Sequence, residues 1–214
     1  MRPVVFLGPS LDPAEAAGLC DAEYLPPVGR GDIDALLGRE RPPDRIGIVD
    51  GAFFQRLSIS PKEVLCALDR GVRVWGAASM GALRAVECAP YGMVGVGRIY
   101  AEYAAGRIEA DDEVAIAYDP DTGRPVSEPL VNLRFAVADA VAAGTTTRIV
   151  ADRFLAVAKE LYFPQRRTGT VLALLADELA PAEHTALAEH LRTRAPDTKR
   201  EDALELLRAI GDPA

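Results

Sequence analysis

Lysine is nearly missing from this chain: of 24 basic residues only Lys62, Lys159 and Lys199 are lysines. Each lysine that survives such a bias toward arginine carries a little more information than usual. Histidine and cysteine are as sparse, with two and three copies. His184 and His190 stand six residues apart in one helical segment, a spacing that does not put them on one face as a ligand pair. Cys20, Cys66 and Cys88 occur singly without a C-x-x-C, which excludes a disulfide framework and a Cys-rich zinc site. No metal is therefore expected. The net charge of −8 excludes generic nucleic-acid binding, because phosphates reward clustered Lys and Arg. No apolar run approaches the roughly 20 residues that cross a bilayer, so no membrane partner is expected. The N-terminal run "PVVFL" stops at Gly8-Pro9, too short for the apolar stretch of a secretory leader, and reads as a buried strand. These absences leave a cytoplasmic globular protein.

What is present is an ordinary globular balance, 49% hydrophobic and 26% charged, in 214 residues that suffice for one large or two small domains. The first half alternates strand and helix signals. "PVVFL" and "RIGIV" are continuous apolar runs of the kind buried on both faces of a sheet. Asp12-Pro13 and Ser60-Pro61-Lys62-Glu63 are helix starts, the second a capping box with Pro at the first position. "AEYL" (22–25) reads as a weak strand, "DIDALL" (32–37) as a short helix, "VRVW" (72–75) as a strand, and "SMGALRAVECA" (79–89) as the helix after it. The segment 92–118 is mixed and Gly-rich, and Pro120, Gly123 and Pro125 mark a loop. Beyond about residue 128 four helical stretches follow: "EPLVNLRFAVADAVAAG", "TRIVADRFLAVAKELYF", "PAEHTALAEHLR" and "KREDALELLRAI". The expected fold is α/β: a parallel-sheet core covered by helices over 1–127, then a helical C-terminal region over 128–214.

One short stretch carries chemistry. "GAASMG" (76–81) follows a strand and opens a helix, and ligands of open α/β sheets sit at the carboxyl ends of strands. Ala77-Ala78-Ser79-Met80-Gly81 is one residue away from the G-x-S-x-G nucleophile elbow. Small neighbours permit the sharp turn, and the N–H groups of Met80 and Gly81 at the helix start are candidates for holding an oxyanion. From the window alone, an N-cap serine is the commoner arrangement. A serine nucleophile also needs a base, and both histidines lie in what reads as a solvated helix. Lysine remains, since desolvation lets it work as a neutral amine. Lys62, at a helix start after a parallel strand, leads, with a plain exposed lysine as its alternative. Lys199 reads as an exposed residue in a charge run, and Lys159 as a mid-helix surface residue. Asp50 ends a strand and either orients the base or substrate or serves the turn with Gly51. Cys66 reads as a buried core cysteine. Asp111-Asp112-Glu113 reads as solvated, and "GMVGVG" is not the dinucleotide fingerprint, so no cofactor is expected.

Taken together, "FLGPSL", "PPVGRGDI", "IVDGAFF", "SPKEVLCAL", "GVRVWGAASMGALRAVE", "YGMVGVGRIY" and "DDEVAIAY" resemble the core of the TfuA-like proteins over residues 3 to 135, with an echo in "DTKREDALELL". The resemblance implies a partner of YcaO enzymes in thioamidation of a peptide backbone amide. It implies hydrolysis of the thiocarboxylated C-terminus of a ThiS-like sulfur carrier protein to release sulfide, and help to YcaO in engaging a precursor peptide. It also implies a Ser–Lys hydrolase, with the serine at Ser79 and the lysine at Lys62 of "PKEV", Lys199 remaining open. Met80, Gly81, Gly76 and Asp50 are then the oxyanion and tail-binding candidates, in a narrow slot for a Gly-Gly tail. Two competing readings are a non-catalytic scaffold bridging YcaO, carrier and peptide, and a persulfide sulfurtransferase using Cys88. A dinucleotide enzyme is more distant.

Overall fold

The computed structural model describes residues 1–52, 57–119 and 122–211. Phe53 and Phe54 of "IVDGAFF", and Pro120 of the loop, lie outside the described residues. The apolar runs form a five-stranded sheet: β1 (Val4–Phe6), β2 (Glu23–Leu25), β3 (Arg45–Ile48), β4 (Arg73–Gly76) and β5 (Val94–Gly95). Their order is β2-β1-β3-β4-β5, and every pair is parallel. The register sets Phe6 beside Ile48, Ile48 beside Gly76, and Gly76 beside Gly95, so the carboxyl ends of four strands are level. The expected α/β class holds, and the mixed 92–100 segment resolves into β5 and a helix.

Local signals explain the helices around the sheet. In α1 (Pro13–Ala17) the Asp12 side chain accepts the Ala14 N–H at 2.7 Å, the capping expected of an acid before Pro. After α2 (Asp32–Leu37) comes α3 (Pro61–Asp69), where Glu63 accepts the Ser60 N–H at 3.1 Å. The other Glu63 oxygen takes the Gly31 N–H at 2.7 Å, tying the α2 and α3 starts together. Two more helices, α4 (Met80–Cys88) and α5 (Gly97–Ala104), follow β4 and β5. In sequence, α2, α3, α4 and α5 pack side by side.

The last helix, α10 (Thr198–Gly211), returns to this sheet. Its Ala203, Leu206, Leu207 and Ile210 join Val5, Val49 and the α1 residue Ala16 in one buried cluster. Arg45, at the start of β3, donates to the Ile210 carbonyl at 2.7 Å, whereas Lys199 in the first turn of α10 stands 3.9 Å from Asp50, just past the end of β3. The helix therefore runs antiparallel to β3. The lengths agree, since eleven helical steps span about 16 Å and five strand steps about 17 Å.

The chain divides into two compact units, Met1–Glu109 with Lys199–Ala214, and Ala110–Thr198. This differs from the boundary expected at 127 in two respects: residues 110–127 go with the helical unit, and α10 goes with the sheet. The helical unit holds α6 (Leu130–Ala142), α7 (Arg148–Glu160), α8 (Thr168–Leu174) and α9 (Pro181–Thr193). Of these, α8 was not among the expected helices. It has only seven residues, with two Thr, a Gly and a Val that are poor helix formers, and it buries Val171 and Leu172.

Within that unit Asp112 and Glu113 of the acidic triplet are structural, and Asp111 is exposed. Asp112 accepts Lys159 at 2.6 Å and Arg166 at 2.9 Å, and Glu113 takes two bonds from Arg134. Burial pushes the Asp112 carboxyl up, but the Lys159 and Arg166 hydrogen bonds outweigh it and hold it below its usual value. His190, expected in a solvated face, is buried, with Nε2 at 2.9 Å from the Asp139 carboxylate and Nδ1 at 3.1 Å from the Thr145 hydroxyl. Among the described residues no group of three His, Cys, Asp or Glu is arranged for a metal ion, and no helix is long and apolar enough to cross a membrane.

Candidate active site

In a sheet of this order the connections after β1 and β3 depart to opposite faces, and ligands gather at that switch point. Asp50, one step beyond Val49, fills it. Its carboxylate accepts the Gly8 N–H at 2.9 Å, the Ser10 N–H at 3.0 Å and the Ser10 hydroxyl at 2.7 Å, and it is 2% exposed. Lys199 brings its ammonium nitrogen to 3.9 Å of Asp50 Oδ1 and is itself 3% exposed. A roof closes the β1 side. Val28 donates to the Asp50 carbonyl at 2.9 Å and accepts from Ala52 at 2.9 Å, and Pro27 lies where a side chain on Gly8 would go. Asp50 is thus a buried anchor, which goes beyond a turn-forming role with Gly51.

The Ser79 turn stands on the other, β4 side. Ala77 extends the ladder by donating to Ile48 at 3.1 Å, and the Ser79 N–H then folds back to the Ala77 carbonyl at 2.7 Å. Ala78, at the centre of this three-residue turn, has φ +63°, and it is the only non-glycine residue with positive φ among those described. An L-residue in that conformation costs roughly 1–2 kcal/mol, a strain that persists where the surroundings enforce it. Ser79 holds the N-cap position of α4, but its side chain makes no capping bond, nor any hydrogen bond among the described residues. Among the described residues, the buried side-chain atoms without a hydrogen-bond partner are Arg45 Nε, Thr146 Oγ1 and Thr198 Oγ1. Ser79 itself is 2% exposed. That geometry separates Ser79 from an ordinary capping serine.

Of the two N–H groups expected to face an oxyanion, only one is available. The Gly81 N–H donates to the Val49 carbonyl at 3.3 Å, whereas the Met80 N–H has no acceptor among the described residues. Gly81 and Gly76 serve close packing. A β-carbon on Gly81 would fall on the Ile48 carbonyl, and one on Gly76 would fall on the Gly81 carbonyl and 2.6 Å from the Met93 Cε. The space that a side chain would take at these glycines is therefore filled by protein. Because the obstacle to a side chain at 81 is backbone, Gly81→Ala is expected to destabilise the protein by about 3 kcal/mol or more. Urea unfolding checks this; a loss under about 1 kcal/mol would show that the turn relaxes freely.

Lys62 is exposed on the first turn of α3 and makes no hydrogen bond or ion pair among the described residues. Cys66, expected in the core, is exposed. The buried side of α3 is formed by Glu63, Val64 and Ala67, and Cys66 points away from it. Cys88 is buried, and that burial pushes its thiol above the usual range, the reverse of what a sulfur-transferring thiolate needs.

Sequence reading missed Ser10 and the Asp50–Lys199 pair. Ser10 had only its place after a strand to mark it. Lys199 had a clearer signal, because 199, 202, 203, 206, 207 and 210 follow helical spacing, which aligns Lys199 with the apolar stripe and not with the charge run.

The TfuA-like protein family matches residues 50–167, a span from Asp50 through the Ser79 turn and covering more than half of the chain. No curated protein matches. With the family's match extending over the strand-end aspartate, the uncapped serine and the helices around them, the chain belongs to the TfuA-like family.

Proposed function

We propose that the protein hydrolyses the thiocarboxylated C-terminus of a ThiS-like sulfur carrier, supplying sulfide to a YcaO enzyme that thioamidates a peptide backbone. Family membership supports a thioamidation-associated role. The observation that carries the hydrolase reading is Ser79: a buried serine whose hydroxyl makes no hydrogen bond among the described residues, in a strained turn at a strand end.

In this proposal Lys199, as the neutral amine, takes the Ser79 proton while Oγ attacks the thiocarboxylate carbon. The Met80 N–H donates to the oxygen as it gains charge. The C–S bond then breaks as the Lys199 ammonium returns that proton to the departing sulfur, so hydrosulfide leaves, and water, deprotonated by the regenerated amine, cleaves the acyl-serine to give the carboxylate. The net change is thiocarboxylate plus water to carboxylate, hydrosulfide and one proton. Asp50, fixed by Gly8 and Ser10, holds the lysine in place and stabilises the ammonium formed in each step. Burial, which favours the neutral amine, supports Lys199 over Lys62 as the base, and Asp50 fixes its place.

A second reading, a non-catalytic bridge between YcaO, carrier and precursor peptide, draws on the helical unit. Ile149, Tyr162 and Leu174 are 81%, 64% and 55% exposed there, the kind of apolar surface that partners cover. Intact-mass spectrometry of a thiocarboxylated ThiS-type carrier, with sulfide measured in parallel, decides between the readings. Conversion to the carboxylate with equal release of sulfide is expected. A carrier that stays thiocarboxylated, even with its YcaO present, yet co-elutes with the protein would favour the bridge.

A further inference from the structure

The helix that delivers Lys199 is held by one unusual contact. Asp202, one turn after Lys199 on the same buried side of α10, is 1% exposed. Its two oxygens accept the Arg98 N–H at 2.9 Å and the Ile99 N–H at 2.8 Å, the first free donors of α5. The N-cap position of α5 is Val96, which has no side chain able to cap, so the cap comes from a helix a hundred residues away. The site is shaped for it: Gly97 has φ +89°, and a β-carbon there would collide with the Asp202 carboxylate.

We propose that Asp202 is a positioning residue for the reaction: by capping α5 it clamps the first turn of α10 to the sheet edge and holds Lys199 against Asp50. The proposal rests on Lys199 acting as the base. The charged groups that act on the Asp202 carboxyl are Glu205 of α10 and Arg98 of α5, and Arg98 is 3.7 Å from Glu201. Burial above all raises the Asp202 carboxyl to about 6, against the two backbone hydrogen bonds, which lower it. Because that value lies above the ordinary 3.8, the ionised form costs folding stability, and the cost is relieved as pH falls from above 6 toward 4.

The test is Asp202→Asn in the full chain. Its kcat for carrier hydrolysis is expected to fall about 10- to 100-fold with KM within about threefold. The wild-type acid limb near pH 6 is expected to vanish, while the melting temperature at pH 8 stays equal or rises. Amide exchange at Arg98 and Ile99 is expected to quicken about tenfold. An unchanged kcat with the same acid limb overturns the proposal, as does a loss of kcat matched by a loss of melting temperature. If wild type itself releases no sulfide, the hydrolase reading falls. Exchange at Arg98 and Ile99 then decides the clamp alone, and unchanged rates would overturn it.

Discussion

Ser79→Ala is expected to lower sulfide release from a thiocarboxylated carrier by about 10³-fold or more, with carrier affinity within about twofold. The size of the effect follows from the role: without Oγ there is no acyl intermediate, and the remaining rate comes from Met80, Lys199 and binding alone. Its selectivity follows from the geometry. The Ser79 hydroxyl caps nothing and bonds to nothing among the described residues, so its removal leaves no orphaned partner. Deleting an unpaired buried hydroxyl is close to neutral for stability. The turn is held by the Ser79 N–H to the Ala77 carbonyl and by Gly81 against Ile48, neither of which involves the side chain. The variant is therefore expected to unfold within about 1 kcal/mol of wild type. Steady-state sulfide release, carrier titration and urea unfolding on one preparation check all three. A drop in activity that tracks a drop in stability would mean that Ser79 is a structural residue.

The second large effect separates two lysines. Lys199→Met is expected to reduce kcat by about 10²- to 10⁴-fold, the usual worth of a positioned base. Lys62→Met is expected to stay within about twofold of wild type, as a surface change far from special features does. Methionine keeps the length and apolar stem of lysine, so Lys199→Met preserves packing against the buried cluster of α10. Asp50 keeps its three hydrogen bonds from Gly8 and Ser10, which limits the cost of losing its cation. The comparison is a kcat measurement on both variants at several pH values. Equal loss in the two, or loss only in Lys62→Met, would return the base to α3.

The elements around the sheet were legible because their signals are local. Asp12-Pro13 and Ser60-Pro61 each announce a helix within a few residues, and "VVF" and "RIGI" announce buried strands. The Ser79 turn was legible for the same reason, as small residues between a strand and a helix. The base was not. Asp50 and Lys199 are separated by the whole helical unit, and only the path of α10 back across β3 brings them together. Lys62 attracts the role because it stands at a helix start after a parallel strand, yet on α3 it is exposed. The glycines at 76 and 81 answer to close approach: the Gly81 carbonyl and Met93 at the one, and the Ile48 carbonyl at the other. Met80 kept its expected donor, and Gly81 lost its own to Val49, a bond that no local pattern encodes.

The most direct test of the central claim is to label the protein with a fluorophosphonate, which reacts with serines activated as nucleophiles, and to map the modified peptide by mass spectrometry. The account predicts label on Ser79 in wild type and in Lys62→Met, suppressed by the carrier, and largely lost in Lys199→Met. Label on another residue, or undiminished label on Ser79 in Lys199→Met, would contradict it.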